Sequence, residues 1–524
     1  MGKFAEHNVA MGAVFDQDAS SADLQAIAEE QPGLRHLVAG HRNTSPATLA
    51  WLAQSGDPNV AKVLESRGLA VPAGPKAAPI ASKRSGNSFA PAVIGVVAVI
   101  VVVALVVAGL RFGFGASESS PSTSAPSTAE PDYPSLQTQL VTLVGGTGFD
   151  SFTDVALTPD GGFVAVGYTY SNEGALQGSE GGSAMVVMFD SGGNVLWTRT
   201  MEDEGQSRFA AVAVGPDGSV YAVGSTSPPM EDEQCGYIAL MVKLTPAGDM
   251  AWYWKSYHEC SHAFMDVVVT DDWVNVVGYT TSGTDEDGVL LEGYYTWFAG
   301  FSFDGTYMWG ISNGGTGNDY LRAVTQSPDG TVVAVGVADS YGGDFAGNAD
   351  NDGLIAGFTT EGDLEWSRTF YGDGYDSFSS VVTTPDNRLI IVGNTTSRKG
   401  DLGYASVSGE SVGILGVYTD ERSPVTFHAS QKEGASAFWD AAVTADGLAV
   451  AVGGENWMVG ILNLNDKTMS AAKASPPGLP QGEYFAVEVI EGNRLVAVGH
   501  ANKGMSEETE KEDCDAALVI FTVA

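Results

Sequence analysis

From about residue 136 onward, short apolar runs alternate with Gly-rich or Asp-rich turns, and this pattern occurs seven times. In the first copy, residues 150–169 contain one apolar run, the turn Pro159-Asp160-Gly161 and a second apolar run that ends in Val-Gly. Asp-Gly between two apolar runs is typical of a β-hairpin, because glycine adopts positive φ without steric cost. Two further apolar runs joined by a second turn follow, so each copy predicts four short antiparallel strands.

The Val-Gly ending marks the period of the repeat. Subtraction of successive positions gives spacings of 46 to 60 residues for Gly167, Gly224, Gly278, Gly336, Gly393, Gly453 and Gly499. Four antiparallel strands in a repeat of this length predict a propeller blade. A row of β-sandwich domains would need about 100 residues for each copy. The predicted fold is therefore all-β, a seven-bladed β-propeller over residues 136–524.

The last copy stops after its third strand. The missing fourth strand is at the other end of the repeat region, where residues 139–146 align with residues 365–372 of the fourth copy. We therefore predict that an N-terminal strand completes the seventh blade. Pairing of the two ends would close the ring and leave no open sheet edge between the first and last blades.

Residues 1–69 show a different pattern. Two similar segments, which begin at Ala22 and Ala47, place apolar residues three and four positions apart, as amphipathic helices do. These segments resemble the variant leucine-rich repeat, a stack of short helices. The resemblance implies a small all-α N-terminal domain that binds a cytoplasmic protein partner.

A long apolar segment separates the two regions. Residues 89–110 contain no charged side chain and are long enough for one transmembrane helix. The preceding linker, residues 70–88, carries three basic residues, whereas residues 111–135 carry one and form a Ser/Thr/Pro-rich stalk. The excess of basic residues before the apolar segment predicts a single-pass plasma-membrane protein with a cytoplasmic N-terminus and an extracellular propeller.

The charge of the chain is concentrated in its second part. The whole chain has 64 acidic and 25 basic residues, of which residues 1–114 hold eight and nine. Residues 115–524 therefore hold 64 − 8 = 56 acidic and 25 − 9 = 16 basic residues, a net charge of −40. Such a field repels phosphate backbones and argues against a nucleic-acid partner. It favours cations or basic partners, or it only keeps an exposed surface soluble.

Acidic loops join the second and third strands of several copies. In the fourth copy Asp344, Asp350 and Asp352 alternate with amide side chains, and oxygen ligands of this kind suit Ca²⁺. We predict a calcium site there, with a solvated acidic loop as the alternative. No other cofactor is indicated.

Two cysteines lie in loops on the same face of the predicted propeller. Cys235 precedes a third strand and Cys260 precedes the next first strand. A disulfide between them fits a domain outside the cell, and free thiols are the alternative.

Two further side chains recur in the repeat. Aspartates open three first strands after Gly-rich turns and are expected to accept hydrogen bonds from neighbouring turns: Asp150, Asp319 and Asp376. Tryptophans begin four fourth strands and form either a docking site or, as their fixed position favours, contacts between blades: Trp197, Trp252, Trp309 and Trp366.

The combination Gly-Asn-Val-Leu-Trp with Gly-Gly-x-Gly-x-Asp, over residues 139–524, resembles the bacterial SBBP-type β-propeller repeat. The resemblance implies an exported or surface-attached propeller, and it supplies no shared catalytic residues.

The sequence predicts a binding module for an extracellular protein or glycan, with no catalytic residue assigned. The alternatives are an extracellular carbohydrate-active hydrolase or lyase and a structural spacer. An enzyme should have a central funnel with converging polar groups and raised carboxyl pKa values. A binding module should have exposed aromatic side chains or an acidic patch on the face that carries the loops.

Overall fold

The structure is a computed structural model. It describes residues 20–30, 35, 38, 43–54 and 60, and residues 136–523 except 174–175, 177–181, 202–204, 228–235, 257–260, 282–292, 316, 341–343, 346–350, 403–409, 419–425, 431–436, 455–456 and 506–511.

Residues 136–523 form seven four-stranded antiparallel sheets. In six of them the strands follow chain order from the centre outward, and in the seventh the first strand of the chain takes the outer position. Blade 1 contains β2 (Asp150–Leu157), β3 (Phe163–Thr169), β4 (Ser183–Phe189) and β5 (Val195–Met201). Blade 2 contains β6 (Ser207–Val214), β7 (Val220–Thr226), β8 (Ile238–Leu244) and β9 (Met250–Lys255). Blade 3 contains β10 (Ala263–Val269), β11 (Val274–Thr280), β12 (Tyr295–Phe301) and β13 (Tyr307–Asn313). Blade 4 contains β14 (Tyr320–Gln326), β15 (Val332–Ala338), β16 (Asp352–Phe358) and β17 (Leu364–Phe370).

The remaining three blades follow the same order. Blade 5 contains β18 (Asp376–Thr383), β19 (Leu389–Thr395), β20 (Val412–Tyr418) and β21 (Thr426–Ala429). Blade 6 contains β22 (Asp440–Val443), β23 (Leu448–Gly453), β24 (Met458–Asn463) and β25 (Met469–Lys473). Blade 7 contains β26 (Gly482–Glu491), β27 (Arg494–Met505), β28 (Glu512–Val523) and, as its outer strand, β1 (Leu136–Val144). The predicted seven-bladed propeller and its closure by an N-terminal strand are confirmed.

The repeated Val-Gly has a steric cause. Six of the seven first strands, all but that of blade 6, carry a β-bulge opposite this glycine, as the register shift between Phe152 and Asp154 shows in blade 1. A Cβ atom on Gly167 would lie 2.0 Å from the carbonyl oxygen of Ser151. Because no side chain fits there, the bulge and the glycine occur together.

The core is divided among the interfaces between blades. Within the described residues, each pair of neighbouring blades encloses one apolar cluster, and the cluster of blades 1 and 7 completes the ring. The recurring tryptophans serve these interfaces: Trp197 lies against Gly248 in the turn of blade 2, and its indole N–H donates to the Pro246 carbonyl at 3.1 Å. Trp252 contacts Gly305 of blade 3 in the same way. The expectation that the tryptophans pack between blades is confirmed.

One interface contains a polar side chain where other blades have an apolar one. Asn275 in β11 is fully buried, and among the described residues neither its amide nitrogen nor its amide oxygen has a hydrogen-bond partner. The equivalent residue is Val164 in blade 1 and Val333 in blade 4. A buried amide without a partner costs about 1–3 kcal/mol.

We therefore expect Asn275→Val to raise the free energy of unfolding by about 1–2 kcal/mol, because it removes this desolvation cost and adds apolar contact. Urea unfolding of the variant and the wild type measures the change. Val164→Asn is the reciprocal variant and should lower the free energy of unfolding by roughly 3 kcal/mol. Equal stability of all three proteins would contradict this account.

Two helices are described before the propeller. They are α1 (Ser21–Glu30) and α2 (Pro46–Leu52), and they coincide with the two predicted amphipathic segments. Both start with a serine cap: the Asp23 N–H donates to Ser20 Oγ at 3.1 Å, and the Thr48 N–H donates to Ser45 Oγ at 3.0 Å.

The transmembrane helix in the predicted fold requires correction. Crossing a hydrocarbon core of about 30 Å takes roughly 20 helical residues, whereas α1 has ten and α2 has seven. In the part of the chain that the structure describes, no helix has the length and apolar character to cross a membrane. The segment 89–110, on which that prediction was based, lies outside the described residues, as do the linker 70–88 and the stalk 111–135. The plasma-membrane location remains an untested prediction.

Candidate functional site

The two faces of the propeller differ. The loops between second and third strands and the connections between blades lie on one face, which we call the loop face; the Asp-Gly turns lie on the opposite face. Because the first two strands of each blade are the innermost, residues at their loop-face ends surround the mouth of the central channel. Propeller scaffolds commonly bind ligands with loops held by such rigid sheets.

Tyrosines gather at this mouth. Seven of them lie at the loop-face ends of strands in blades 1 to 5, and we call them the tyrosine rim: Tyr168, Tyr170, Tyr237, Tyr279, Tyr294, Tyr320 and Tyr375. Tyr170 and Tyr375 are the most exposed, at 44% and 38%.

Ring contacts connect the rim from blade to blade. Tyr279, Tyr294 and Tyr320 form a mutual cluster with centroid distances of 5.1 to 5.4 Å. Tyr168 and Tyr170 meet edge to face at 6.1 Å. Such contacts between rings hold each one in a defined orientation.

An aromatic arc continues the rim into blade 7. Phe149 lies 6.0 Å from Tyr168 and 5.1 Å from His500, and His500 lies 5.6 Å from Phe485. Burial lowers the pKa of His500 to about 4. The imidazole is therefore neutral at physiological pH and acts as one more aromatic ring.

Three phenols of the rim have raised pKa values and remain protonated. Burial raises the pKa of Tyr168 and of Tyr279 to about 12, and it also raises that of Tyr320. Each hydroxyl can therefore donate a hydrogen bond across the physiological pH range. The rim can provide both ring faces for stacking and O–H donors.

Two arginines stand among these tyrosines. The Arg208 guanidinium lies 5.1 Å from the ring centroid of Tyr237 and lowers the pKa of both Tyr168 and Tyr279, which places it between blades 1 and 3. Arg322 donates to Ser377 Oγ at 2.9 Å and to the Tyr375 hydroxyl at 3.1 Å.

Aspartates of the first strands fasten neighbouring blades together below the rim. Asp154 accepts from the Val212 N–H of the next blade at 2.7 Å and from the Val155 N–H at 2.8 Å. Asp266 makes the same pair of bonds, to Val324 and Val267.

A third aspartate repeats this arrangement on the other side of the ring. Asp440 accepts from the Val487 N–H at 2.8 Å and from the Ser380 hydroxyl at 2.6 Å. The equivalent positions of the seven first strands, opposite the residue before the conserved glycine, read Asp, Ala, Asp, Ala, Ser, Asp and Ala around the ring. Each of the three aspartates therefore accepts a backbone hydrogen bond from a neighbouring blade that has alanine at the equivalent position.

These carboxyl groups share the channel with Glu488, and their pKa values are raised. Burial is the main cause; the charges of Asp266 and Asp440 add to it at Asp154, and the charge of Asp440 adds to it at Glu488. The pKa values of Asp266 and Glu488 rise to about 7. The Glu488 side chain is exposed to solvent, and this solvent screens its charge.

The raised pKa values predict how stability depends on pH. A carboxyl group whose pKa is higher in the folded state stabilises the fold fully below its ordinary pKa, and this stabilisation is lost as pH rises through the folded value. For Glu488 the range runs from about 4.5 to about 7. We expect Glu488→Gln to unfold at a higher temperature than the wild type at pH 8 and to depend less on pH. Solvent screening reduces the expected gain to roughly 1–2 kcal/mol.

Thermal unfolding at pH 5 and pH 8 measures this difference. Glu365→Gln, at an exposed position of β17, is the matched control and should retain the pH dependence of the wild type. The same pH dependence in Glu488→Gln and Glu365→Gln would contradict the assignment.

The predicted calcium residues do not lie in one environment. Asp344 is exposed and accepts from the Asn313 amide at 3.0 Å, whereas Asp352 is buried at the start of β16. The charge of Asp352 adds to burial in raising the pKa of Asp376 to about 6. Asp350 lies outside the described residues. Across the described part of the chain, no three His, Cys, Asp or Glu side chains are grouped to hold a metal ion. Calcium at this loop remains a prediction.

The predicted disulfide cannot be placed either. Cys235 and Cys260 both lie outside the described residues, and their pairing remains a prediction.

Comparison with known proteins gives a family for the N-terminal region. Residues 10–68 match the Leucine Rich Repeat Variant domain family, which confirms the resemblance seen in the two helical segments. No curated protein matches the chain. The finer resemblance of the propeller to SBBP-type repeats remains a prediction.

Solved propellers are similar to this chain at low identity. The WD40 domain of Neurospora crassa Pan2 has 8% identity and a TM-score of 0.43, covering 73% of this chain and 95% of that domain. A YCF48 protein bound to D1 peptide has 12% identity and a TM-score of 0.40, covering 75% and 97%. YCF48 from Cyanidioschyzon merolae has 13% identity and a TM-score of 0.39, covering 73% and 98%.

Sequence reasoning missed the tyrosine rim, although a signal was available. The residue directly after Val-Gly is Tyr168 in blade 1, Tyr279 in blade 3 and His500 in blade 7, whereas the other blades have Ser, Val, Asn or Gly there. Because the residue beside the invariant glycine differs between blades, the fold does not require a particular side chain at this position.

Proposed function

We propose that this chain is a binding protein and that its tyrosine rim holds a segment of a partner protein. The observation that carries the proposal is the concentration of tyrosines and two arginines at the mouth of the central channel. Tyrosine and arginine are enriched in the energetically dominant residues of protein interfaces. Tyrosine offers a large contact area at a low cost in conformational entropy. We further propose that the helical module of residues 10–68 binds a second protein.

Direct binding to an array of random 12-residue peptides tests this function on the full chain. We expect Tyr170→Ala and Tyr375→Ala each to weaken the binding of selected peptides at least tenfold. Tyr253→Ala is the matched control, because Tyr253 is 43% exposed but lies on the outer strand β9. Equal losses in all three variants, or binding that none of them changes, would contradict a site at the rim. A glycan array on the same samples tests the other predicted ligand class.

A hydrolase is the second candidate, since the channel has the raised carboxyl pKa values expected of an enzyme. Against it, both carboxylate oxygens of Asp154 and of Asp266 already accept backbone hydrogen bonds. Glu488 would therefore have to act as the acid, with Asp440 beside it. Release of shorter fragments from a glycan by the wild type, but not by Glu488→Gln, would establish this activity. We expect no release.

A further inference from the structure

We infer that the tyrosine rim selects an acidic segment of its partner and that Arg208 binds a carboxylate of that segment. This inference rests on the proposed function and specifies the chemistry of the ligand. It starts from the two arginines of the rim and from what surrounds them.

The two guanidinium groups differ in how they are held. Arg322 is fixed by its hydrogen bonds to Ser377 and Tyr375. Arg208 stacks on Tyr237, and among the described residues its guanidinium forms no ion pair and no hydrogen bond. Within the described part of the chain, the planar set of N–H donors of Arg208 is therefore available to a ligand.

Arg208 has no acidic partner among the described residues. With 64 acidic and 25 basic residues, an arginine has many carboxylates within its own domain to pair with. Arg388, on the opposite face, does pair with Asp386 at 2.9 Å. At the rim, two arginines lie in different blades, and within the described residues neither is paired with a carboxylate. A ligand can supply the missing anion, because guanidinium and carboxylate form two parallel hydrogen bonds.

The tyrosines of the rim add further contacts to the bound carboxylate. Tyr168 and Tyr279 lie close enough to Arg208 for its charge to lower their pKa values, and their protonated hydroxyls are additional donors for a carboxylate. Arg208 is itself half-buried and stacked on Tyr237, and an ion pair is stronger where less water competes. Arg322 can meet a second acidic group on the far side of Tyr279 and Tyr320.

The negative charge of residues 115–524 opposes an acidic ligand at long range. At physiological ionic strength, charges more than about 8 Å apart are largely screened. The groups in direct contact with the ligand therefore decide, and among the described residues of the rim these include two arginines and seven phenols.

The peptide array described above tests the inference on the full chain. We expect the most tightly bound peptides to contain Asp or Glu, and replacement of that residue by Asn or Gln to weaken binding at least tenfold. In Arg208→Gln this difference between the acidic and amide peptides should disappear, and Arg208→Lys should retain part of it. Arg388→Gln, on the opposite face, is the matched control and should behave as the wild type. Thermal unfolding confirms that each variant is folded.

The outcomes separate the inference from the function on which it rests. Peptides that bind in a Tyr375-dependent way but show no preference for acidic residues would overturn the inference and leave the binding function in place. A preference for acidic residues that Arg208→Gln retains would overturn the role of Arg208. No bound peptide, or binding only of an acidic polysaccharide such as polygalacturonate, would overturn both the inference and the protein partner.

Discussion

Deletion of residues 136–144 is expected to lower the free energy of unfolding by roughly 5 kcal/mol. These residues form β1, the outer strand of blade 7, and pair with β28 along its length. Val144 is buried, while Leu136, Leu140 and Val141 pack against the clusters on either side of blade 7. A fully buried aliphatic side chain contributes about 1.5–3 kcal/mol and a half-buried one about half of that.

Urea unfolding of the full chain with and without these residues measures the loss. The deletion also exposes β28 as a long apolar sheet edge, so we expect aggregation at concentrations where the wild type is soluble. Deletion of nine residues from the stretch 111–135 is the control for length. A synthetic peptide of residues 136–144 should restore stability by adding back the strand. An unchanged unfolding midpoint in the deletion variant would show that blade 7 does not need β1.

Replacement of Asp150 by alanine is expected to cost roughly 3 kcal/mol. Asp150 is fully buried at the start of β2 and accepts hydrogen bonds from the Thr169 and Ser171 hydroxyls and from the Gly146 N–H, the last at 2.9 Å. These hydrogen bonds hold in place the connection between β1, which closes the ring, and β2 of blade 1. Alanine leaves buried donors without an acceptor, and each such donor costs about 1–3 kcal/mol.

Two further variants distinguish this network from a general effect of losing an aspartate. Asp150→Asn keeps one acceptor oxygen and should cost about 1 kcal/mol. Asp160→Ala, in the exposed turn between β2 and β3, should change stability by no more than about 0.5 kcal/mol. Denaturant unfolding gives all three values, and equal losses for Asp150→Ala and Asp160→Ala would contradict the assignment.

The structural roles of several residues were predictable because they recur with the repeat. Asp319 and Asp376 stand at the same position as Asp150 and accept the same kind of hydrogen bonds from neighbouring turns, as the sequence predicted. Trp197 likewise packs where its fixed place in the repeat indicated. A residue that recurs at the same point of several copies has similar neighbours in each of those blades, so its environment can be predicted from the repeat pattern.

The residues of the candidate site do not recur in this way. Arg208 meets Tyr168 and Tyr279, which precede it by 40 positions and follow it by 71 positions by subtraction. Nothing in the local sequence of any one of them indicates the other two. The channel carboxyl groups were missed for the same reason, since Asp154, Asp266 and Asp440 come together only when seven first strands surround one axis.

By itself, the sequence determined the number of blades, the order of strands within each blade and the closure of the ring by an N-terminal strand. These properties follow from turn residues and from the alternation of apolar positions, which act over a few neighbouring residues and repeat along the chain. Only the tertiary structure decided which side chains share the mouth of the channel and which carboxyl groups bind neighbouring blades together. Those contacts depend on the curvature of the whole ring, which brings distant and non-repeating positions within a few ångströms of one another.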